Sequence, residues 1–461
     1  MLELLDELGL PESTTQQQLV NKLEALRVGA TLERRVKIEP IQGQDLVVIK
    51  EQPNEKIKLW SHLGLELIAN RKVGVVLLAG GLSVRLGFNS PKGCFTNPLI
   101  RLYLMTSTLN DIKTRSYFQS NNYFGLKQDE EQLIFFVQKS IAVVNYDGSL
   151  AIGNGDVLQK DKISQSQSSD QILQSSSHTI MLPNGNGGTY HALSESGILE
   201  KMDQARLEWV HFVGVDNILV RPADPIFLGA CASSKPEIGT KVVPKLYPTE
   251  NVGVFCFKSK SSSQSQGDNT VEYGITEYME MTEEEKHRTV AATPKLGMDI
   301  KEQLSERLAF SSANIVSHLF QLPFLRRCCY RHKEIPYHIA KKESSYSYEN
   351  IQVPGQTYKL EKFIFDTFCW TNHVATVEVD REEEFAPVKN KTGVDSPDTA
   401  LSILGSMWQR WITCAGGEVI DSNEKDIKQQ IVEISPLISL FGEGLENFVM
   451  GKRIIRGSQI K

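Results

Sequence analysis

Residues Val73-Gly74-Val75-Val76-Leu77-Leu78-Ala79 form an unbroken apolar run, with β-branched Val73, Val75 and Val76, that ends in Gly80-Gly81. A strand without a polar side must be covered on both faces, which is the position of a parallel strand inside an α/β domain. Comparable runs recur at Leu133 to Val137 and at Val210 to Val215, the second followed directly by Asp216-Asn217. Helical patterns such as Tyr190 to Met202 lie between them. This alternation predicts a doubly wound α/β core, with ligands beyond the carboxyl ends of the strands.

The flanks read differently. Over residues 1–70, Leu19, Leu23 and Leu26 share one helical face and Ile57, Trp60, Leu63 and Leu67 another, which predicts an N-terminal helical subdomain. After Pro387, Ser396-Pro397-Asp398 reads as a helix N-cap with proline at the first helical position. Glu418-Val419-Ile420 suggests a small, partly β C-terminal domain over residues 386–461. The central domain then spans residues 71–385. Two Ser/Gln-rich segments, 159–177 and 259–269, bury too little apolar surface to order themselves and read as surface insertions.

Composition excludes several function classes. The 461 residues carry a formal net charge of −6. That balance argues against a nucleic-acid binder, which needs clustered Lys and Arg. The seven cysteines are scattered, with no CxxC or zinc-knuckle spacing, as expected for free thiols in a reducing compartment. No apolar run approaches the ~18 residues that span a bilayer. The opening MLELLDELGL carries acids where a signal peptide carries bases. These features predict a cytoplasmic protein with no membrane partner.

The chemistry concentrates in Leu78-Ala79-Gly80-Gly81-Leu82-Ser83-Val84-Arg85-Leu86-Gly87, followed by Ser90-Pro91-Lys92-Gly93. A strand running into paired glycines lets backbone amides approach a phosphate, and Arg85 and Lys92 add two cations. Neither familiar phosphate fingerprint fits. The glycines at 80, 81 and 87 miss G-x-G-x-x-G, and Pro91-Lys92-Gly93 inverts the Gly-Lys-Ser/Thr order of a P-loop. Asp216, at the end of an apolar run, has no packing purpose there. His332 and His338 do not have the spacing of a zinc site.

The glycine segment resembles the L-x-G-G-x-G-T-R-L-G…P-K-G motif of the nucleotide-sugar pyrophosphorylases. Phe135-Phe136-Val137-Gln138, Pro183-Asn184-Gly185-Asn186-Gly187-Gly188-Thr189-Tyr190, Val215-Asp216-Asn217, Pro248-Thr249-Glu250-Asn251-Val252-Gly253, Val271-Glu272-Tyr273, Ala313-Asn314-Ile315, Phe385-Ala386-Pro387-Val388-Lys389-Asn390 and Glu433-Ile434-Ser435-Pro436-Leu437 continue it in order. Together they resemble the eukaryotic UDP-N-acetylglucosamine pyrophosphorylase family.

The resemblance implies a nucleotide-binding mixed sheet and direct in-line uridylyl transfer from UTP to an N-acetylhexosamine 1-phosphate. It implies Arg85, Lys92 and Lys389 as catalytic cations. UTP would be held by Leu78, Gly80, Gly81, Arg85, Lys92, Gln138 and Gly185. The sugar would meet Asn186, Gly253, Glu272, Asn314 and Lys389, and Asp216 would carry Mg²⁺. The resemblance points to a monomer or weak homo-oligomer. Gly-Asn-Gly-Gly at 185–188, where UDP-glucose enzymes usually carry Gly-His-Gly-Asp, favours an N-acetylhexosamine. A UDP-glucose or broader UDP-sugar pyrophosphorylase is the alternative within the class. Ser83 and Val84 depart from the family glycine and threonine, and a non-catalytic nucleotide-sugar-binding protein is the alternative outside it.

Overall fold

The computed structural model describes residues 1–32, 36–80, 100–127, 132–153, 178–259, 271–291, 306–348, 351–421 and 431–461. Its centre is a mixed sheet of eleven strands among those residues. In chain order they are β1 (Lys37–Pro40), β2 (Leu46–Val48), β3 (Val73–Leu78), β4 (Arg101–Ser107), β5 (Leu133–Gln138) and β6 (Trp209–Gly214). There follow β7 (Ile238–Pro244), β8 (Val254–Ser259), β9 (Val271–Thr276), β10 (Ser312–Gln321) and β11 (Val374–Glu378).

The three apolar runs of the sequence become β3, β5 and β6, and β4, which the sequence reading did not mark, completes the parallel half in the order β5-β4-β3-β6. Strand β3 leads to β4 and β5 on one side, while β6 returns on the other, so the order reverses between β3 and β6. At such a reversal the chain ends splay apart and leave a crevice at the carboxyl edge. Leu78 is opposite Gly214 and Met105, and Gln138 is opposite Ser107, so four strand ends are level there.

The other half mixes directions. Strand β10 runs antiparallel between β6 and β7, and β11 and β2 continue parallel beyond β7. The register of β7 on β10 slips between Thr240 and Val242, where Val316 adopts a φ of 53°. Strands β8 and β9 form a hairpin on the side of β10, and β1 pairs with β8. The helical reading of residues 1–70 is therefore corrected over 37–48. Within it, residues 37–40 and 46–48 pair as strands with segments more than 200 positions away, which local periodicity does not register.

Helices cover both faces. Helices α1 (Leu2–Glu7), α2 (Gln16–Leu32) and α3 (Asn54–Ala69) precede β3. Helices α4 (Gly188–Glu195) and α5 (Pro225–Ser234) flank β6 in the chain, and α6 (Pro397–Cys414) lies in the C-terminal part. Side chains alternate along each parallel strand. Val76, Leu78, Val210 and Phe212 join Tyr190 and Phe320 on one face, while Val73, Val75, Trp209 and Val213 join Phe227 and Leu228 on the other. Helices α3 and α5 cross in near backbone contact. A Cβ on Gly64 would lie 1.9 Å from the Pro225 carbonyl oxygen, and one on Gly229 would lie 1.8 Å from that of Trp60. Only glycine fits at either place.

A buried charge network ties the mixed half together. Lys241 of β7 donates to Asp224 Oδ2 at 2.6 Å and to a Glu384 carboxylate oxygen, with all three side chains almost inaccessible. Burial works to lower the Lys241 pKa, but the two carboxylates outweigh it and raise the value. Asp224 also caps α5 by accepting from Ile226 N–H at 3.0 Å. Among the described residues, no helix is long and apolar enough to cross a membrane.

Candidate functional site

The crevice at the β3/β6 reversal collects most of the described residues that the sequence singled out. Leu78 and Gly80 end β3, Gln138 ends β5, and Gly185 and Asn186 lie in the loop that enters α4. Gln138 is buried, and its side-chain amide bridges two glycines. A Cβ on Gly80 would lie 2.1 Å from Nε2, and one on Gly188 would lie 2.7 Å from Oε1. Oε1 itself has no hydrogen-bond partner among the described residues. A buried, orphaned amide oxygen beside two bare backbone segments suits the N–H edge of a planar base, which supplies the missing donor.

The glycine loop is held by backbone. Gly187 N–H donates to Lys362 O at 2.8 Å, and Lys362 N–H donates to Asn184 O at 3.1 Å. Gly185 has a φ of +70°, and a Cβ there would lie 2.4 Å from Lys362 O. The Asn186 side-chain oxygen accepts from Ile364 N–H at 2.9 Å, which commits that end of the amide to the scaffold.

Across the crevice, Asp216 follows β6 and meets the segment that carries Lys389. Val388 N–H donates to Asp216 O at 2.9 Å, and Asn217 pairs with Pro387 in an antiparallel bridge. The Asn217 side chain completes the joint. Its Oδ1 accepts from Ala386 N–H at 2.9 Å and its Nδ2 donates to Glu384 O at 2.7 Å. Lys389 is exposed; its backbone N–H donates to Asp395 O at 2.7 Å and its ammonium lies 3.8 Å from Asp395 Oδ2. Burial raises the Asp216 pKa, and the nearby charge of Lys389 works against that rise. The Asp395 carboxylate adds to that rise, and among the described residues no three His, Cys, Asp or Glu side chains converge as a metal cluster.

Gly253 and Asn314 meet directly, with Asn314 N–H donating to Gly253 O at 2.9 Å. Their carboxylate neighbour is Glu277. A Cβ on Gly253 would lie 2.9 Å from Glu277 Oε1. Burial raises the Glu277 pKa and Glu280 adds to it, while His338, Lys389 and Lys258 oppose the rise. Glu272 is placed differently. It is opposite Lys258 in the β8–β9 hairpin, whereas Tyr273 and Ile275 pair with Phe257 and Phe255. Alternation along β9 therefore sets Glu272 on the face away from Ile275, whose side chain borders Gly253. The geometry gives the place beside Gly253 to Glu277 instead of Glu272. The sequence does hold the signal, because Glu277-Tyr278 repeats the Glu272-Tyr273 dipeptide five residues later. Nothing in the sequence marks Lys362 as the clamp of the glycine loop. Arg85, Lys92, Gly81, Ser83 and Val84 lie outside the described residues.

Comparison with known proteins decides the lineage. The profile of the UTP–glucose-1-phosphate uridylyltransferase family matches residues 95–441. The chain belongs to that uridylyltransferase family. Among curated uridylyltransferase relatives, a UDP-N-acetylglucosamine diphosphorylase 1 of Arabidopsis thaliana is 33% identical over 454 residues, covering 90% of this chain and 80% of its own. A UDP-N-acetylhexosamine pyrophosphorylase-like protein 1 of Xenopus tropicalis is 31% identical, covering 91% of this chain and 82% of its own. The uridine diphosphate N-acetylglucosamine pyrophosphorylase of Trypanosoma brucei shares the fold, with a TM-score of 0.67 at 23% identity. That match covers 96% of this chain and 91% of the other.

Proposed function

We propose that this uridylyltransferase makes UDP-N-acetylglucosamine and pyrophosphate from UTP and N-acetylglucosamine 1-phosphate. The observation that carries the reading is the strand-end crevice, with the orphaned Gln138 amide oxygen on one side and Asp216, within reach of the Lys389 charge, on the other. The name of the Arabidopsis relative at 33% identity supplies the sugar, and that of the Xenopus relative the wider N-acetylhexosamine class. Uracil would sit between Gly80, Gln138 and Gly185. An oxygen of the sugar phosphate attacks the α-phosphorus of UTP, and the bond to the departing pyrophosphate breaks in line. No protein nucleophile takes part, so the chain acts by positioning and by compensating phosphate charge. Lys389 would hold the sugar-linked phosphate, while Arg85 and Lys92 would serve the triphosphate. Asn186, Gly253, Asn314 and Glu277 would line the sugar.

Magnesium fits this donor set. The ion commonly takes one or two carboxylates and fills its shell with phosphate oxygens and water, so Asp216 alone is a sufficient protein ligand. When bound, it would offset charge on the phosphates. A cytoplasmic location accords with the free thiols at Cys231, Cys256, Cys328 and Cys329, all buried. The acidic balance accords with a monomer or weak homo-oligomer that binds no nucleic acid.

The test is pyrophosphate release from UTP and Mg²⁺ with N-acetylglucosamine, N-acetylgalactosamine and glucose 1-phosphates. Preferred turnover of the first supports the reading, and preferred turnover of glucose 1-phosphate replaces the sugar. UTP binding without turnover of any of them makes the chain a binding protein.

A further inference from the structure

The loop that would face uracil is gripped by residue 362, and residue 362 is gripped in turn by the first helix. Lys362 is almost fully buried. Its ammonium donates to Glu7 Oε2 of α1 and to His332 O, each at 3.3 Å, and lies 4.4 Å from the centre of the Tyr337 ring. Tyr337 O–H donates to the same Glu7 oxygen at 2.8 Å and accepts from Asn184 Nδ2 at 3.1 Å. Glu7 thus reaches the glycine loop by two routes. One runs through Lys362, whose backbone accepts from Gly187 and donates to Asn184. The other runs through Tyr337 to the Asn184 side chain.

Little slack exists along the Lys362 route. A Cβ on Gly187 would lie 2.7 Å from the Lys362 carbonyl carbon, and Gly185 is pressed on the Lys362 oxygen in the same way. A shift of residue 362 by even a few tenths of an ångström is therefore passed directly to the loop. The charges around Glu7 are matched. Burial would raise its pKa, but Lys362 and Tyr337 outweigh that and hold it low. His191 lies 3.8 Å from the other Glu7 oxygen and stacks on His332 with ring centres 4.3 Å apart. Removing Glu7 leaves a buried ammonium without its counter-charge, and Lys362 must move to find water.

We infer that Glu7 and Tyr337 are positioning residues for nucleotide recognition, acting through Lys362 and Asn184 on the loop 184–188. The inference rests on the proposed placement of uracil at that loop. By this account α1 fixes how tightly the loop closes on the base edge, although it touches no substrate.

The experiment uses the full chain with Glu7→Gln and Tyr337→Phe. Each variant is measured for UTP affinity by calorimetry, for the ratio of kcat/KM between UTP and CTP, and for its urea midpoint. UTP affinity should fall roughly tenfold in each, which is about 1.4 kcal/mol. The UTP-to-CTP preference should narrow, while kcat at saturating UTP stays within about threefold of the parent. A purely structural role would lower the urea midpoint and leave base preference intact, and that result overturns the inference. So does wild-type UTP affinity in both variants. Failure of the parent chain to bind UTP at all is a separate result, which removes the uracil placement and the latch with it. Tyr337→Phe keeps the ring over Lys362, so it remains informative if Glu7→Gln does not fold.

Discussion

Lys241→Met isolates the buried network beneath the crevice. The substitution keeps an unbranched, apolar stem and deletes the ammonium that Asp224 and Glu384 share. Two carboxylates remain, both nearly inaccessible. Unit charges about 5 Å apart repel by about 3 kcal/mol at an effective dielectric constant of about 20. The folded protein must bear that repulsion or take up a proton, and losing one member of a buried pair commonly costs about 3–5 kcal/mol.

That cost is the expected drop in unfolding free energy by urea titration at pH 7. The variant should also regain stability on acidification. A carboxyl whose folded pKa is raised holds a proton that the unfolded chain releases, so its penalty grows as pH rises through the raised value and shrinks below it. Asp224→Asn/Lys241→Met/Glu384→Gln carries no buried charge and should recover most of the loss. Activity should fall further than stability alone accounts for. Glu384 adjoins the Asn217 joint, and that joint holds the segment carrying Lys389 beside the backbone of Asp216 and Asn217. A loss below about 1 kcal/mol, or an equal loss in the triple variant, refutes the reasoning.

Three further outcomes are expected. Glu277→Ala should raise KM for the sugar phosphate about 10- to 100-fold, the range for losing a hydrogen bond to a charged group, with Glu272→Ala within about threefold; the reverse order would return the sugar contact to Glu272. Gly80→Ala drives a methyl group into the Gln138 amide, so UTP affinity should fall about tenfold or more by calorimetry with little change in circular dichroism, and unchanged affinity would remove Gln138 from the base site. Burial alone would depress His338, but Asp366, 3.0 Å away, outweighs it and raises the pKa. The resulting stability is fully present below the unfolded value near 6.5 and is lost as pH rises through the folded one. Asp366→Asn should erase that slope and lower the His338 pKa in an NMR titration; an unshifted titration would break the pairing.

Parallel strands were legible because each carries its own message. Val73–Ala79 is apolar on both faces whatever it pairs with, Val210–Val215 is so apart from His211, and the glycines or polar residues that follow mark the crevice. Strands β1 and β2 are short, and their partners β8 and β11 are far along the chain, so their identity resides in the pairing. The antiparallel insertion of β10 between β6 and β7 is equally non-local. Lys241 reads as a surface cation, because the acids that justify its burial are 17 and 143 positions away. The sugar carboxylate turns on where β9 ends. Glu272-Tyr273 and Glu277-Tyr278 look alike as text, but the first glutamate lies within β9 and the second just past its end at Thr276, beside Gly253.

The glycine crossing of α3 and α5 also bears on how the chain is made. Helix α3 is complete at Ala69, but its docking surface on α5 begins only at Pro225. At ribosomal rates of about 5–20 residues per second, the intervening chain takes about ten to thirty seconds to synthesise. For that interval the part of α3 around Trp60 and Gly64 has no α5 to dock on, and neither residue can reach its final contact. A nascent chain stalled between these two helices should therefore be held by chaperones and cut readily by proteases. One stalled after α5 has emerged should resist both.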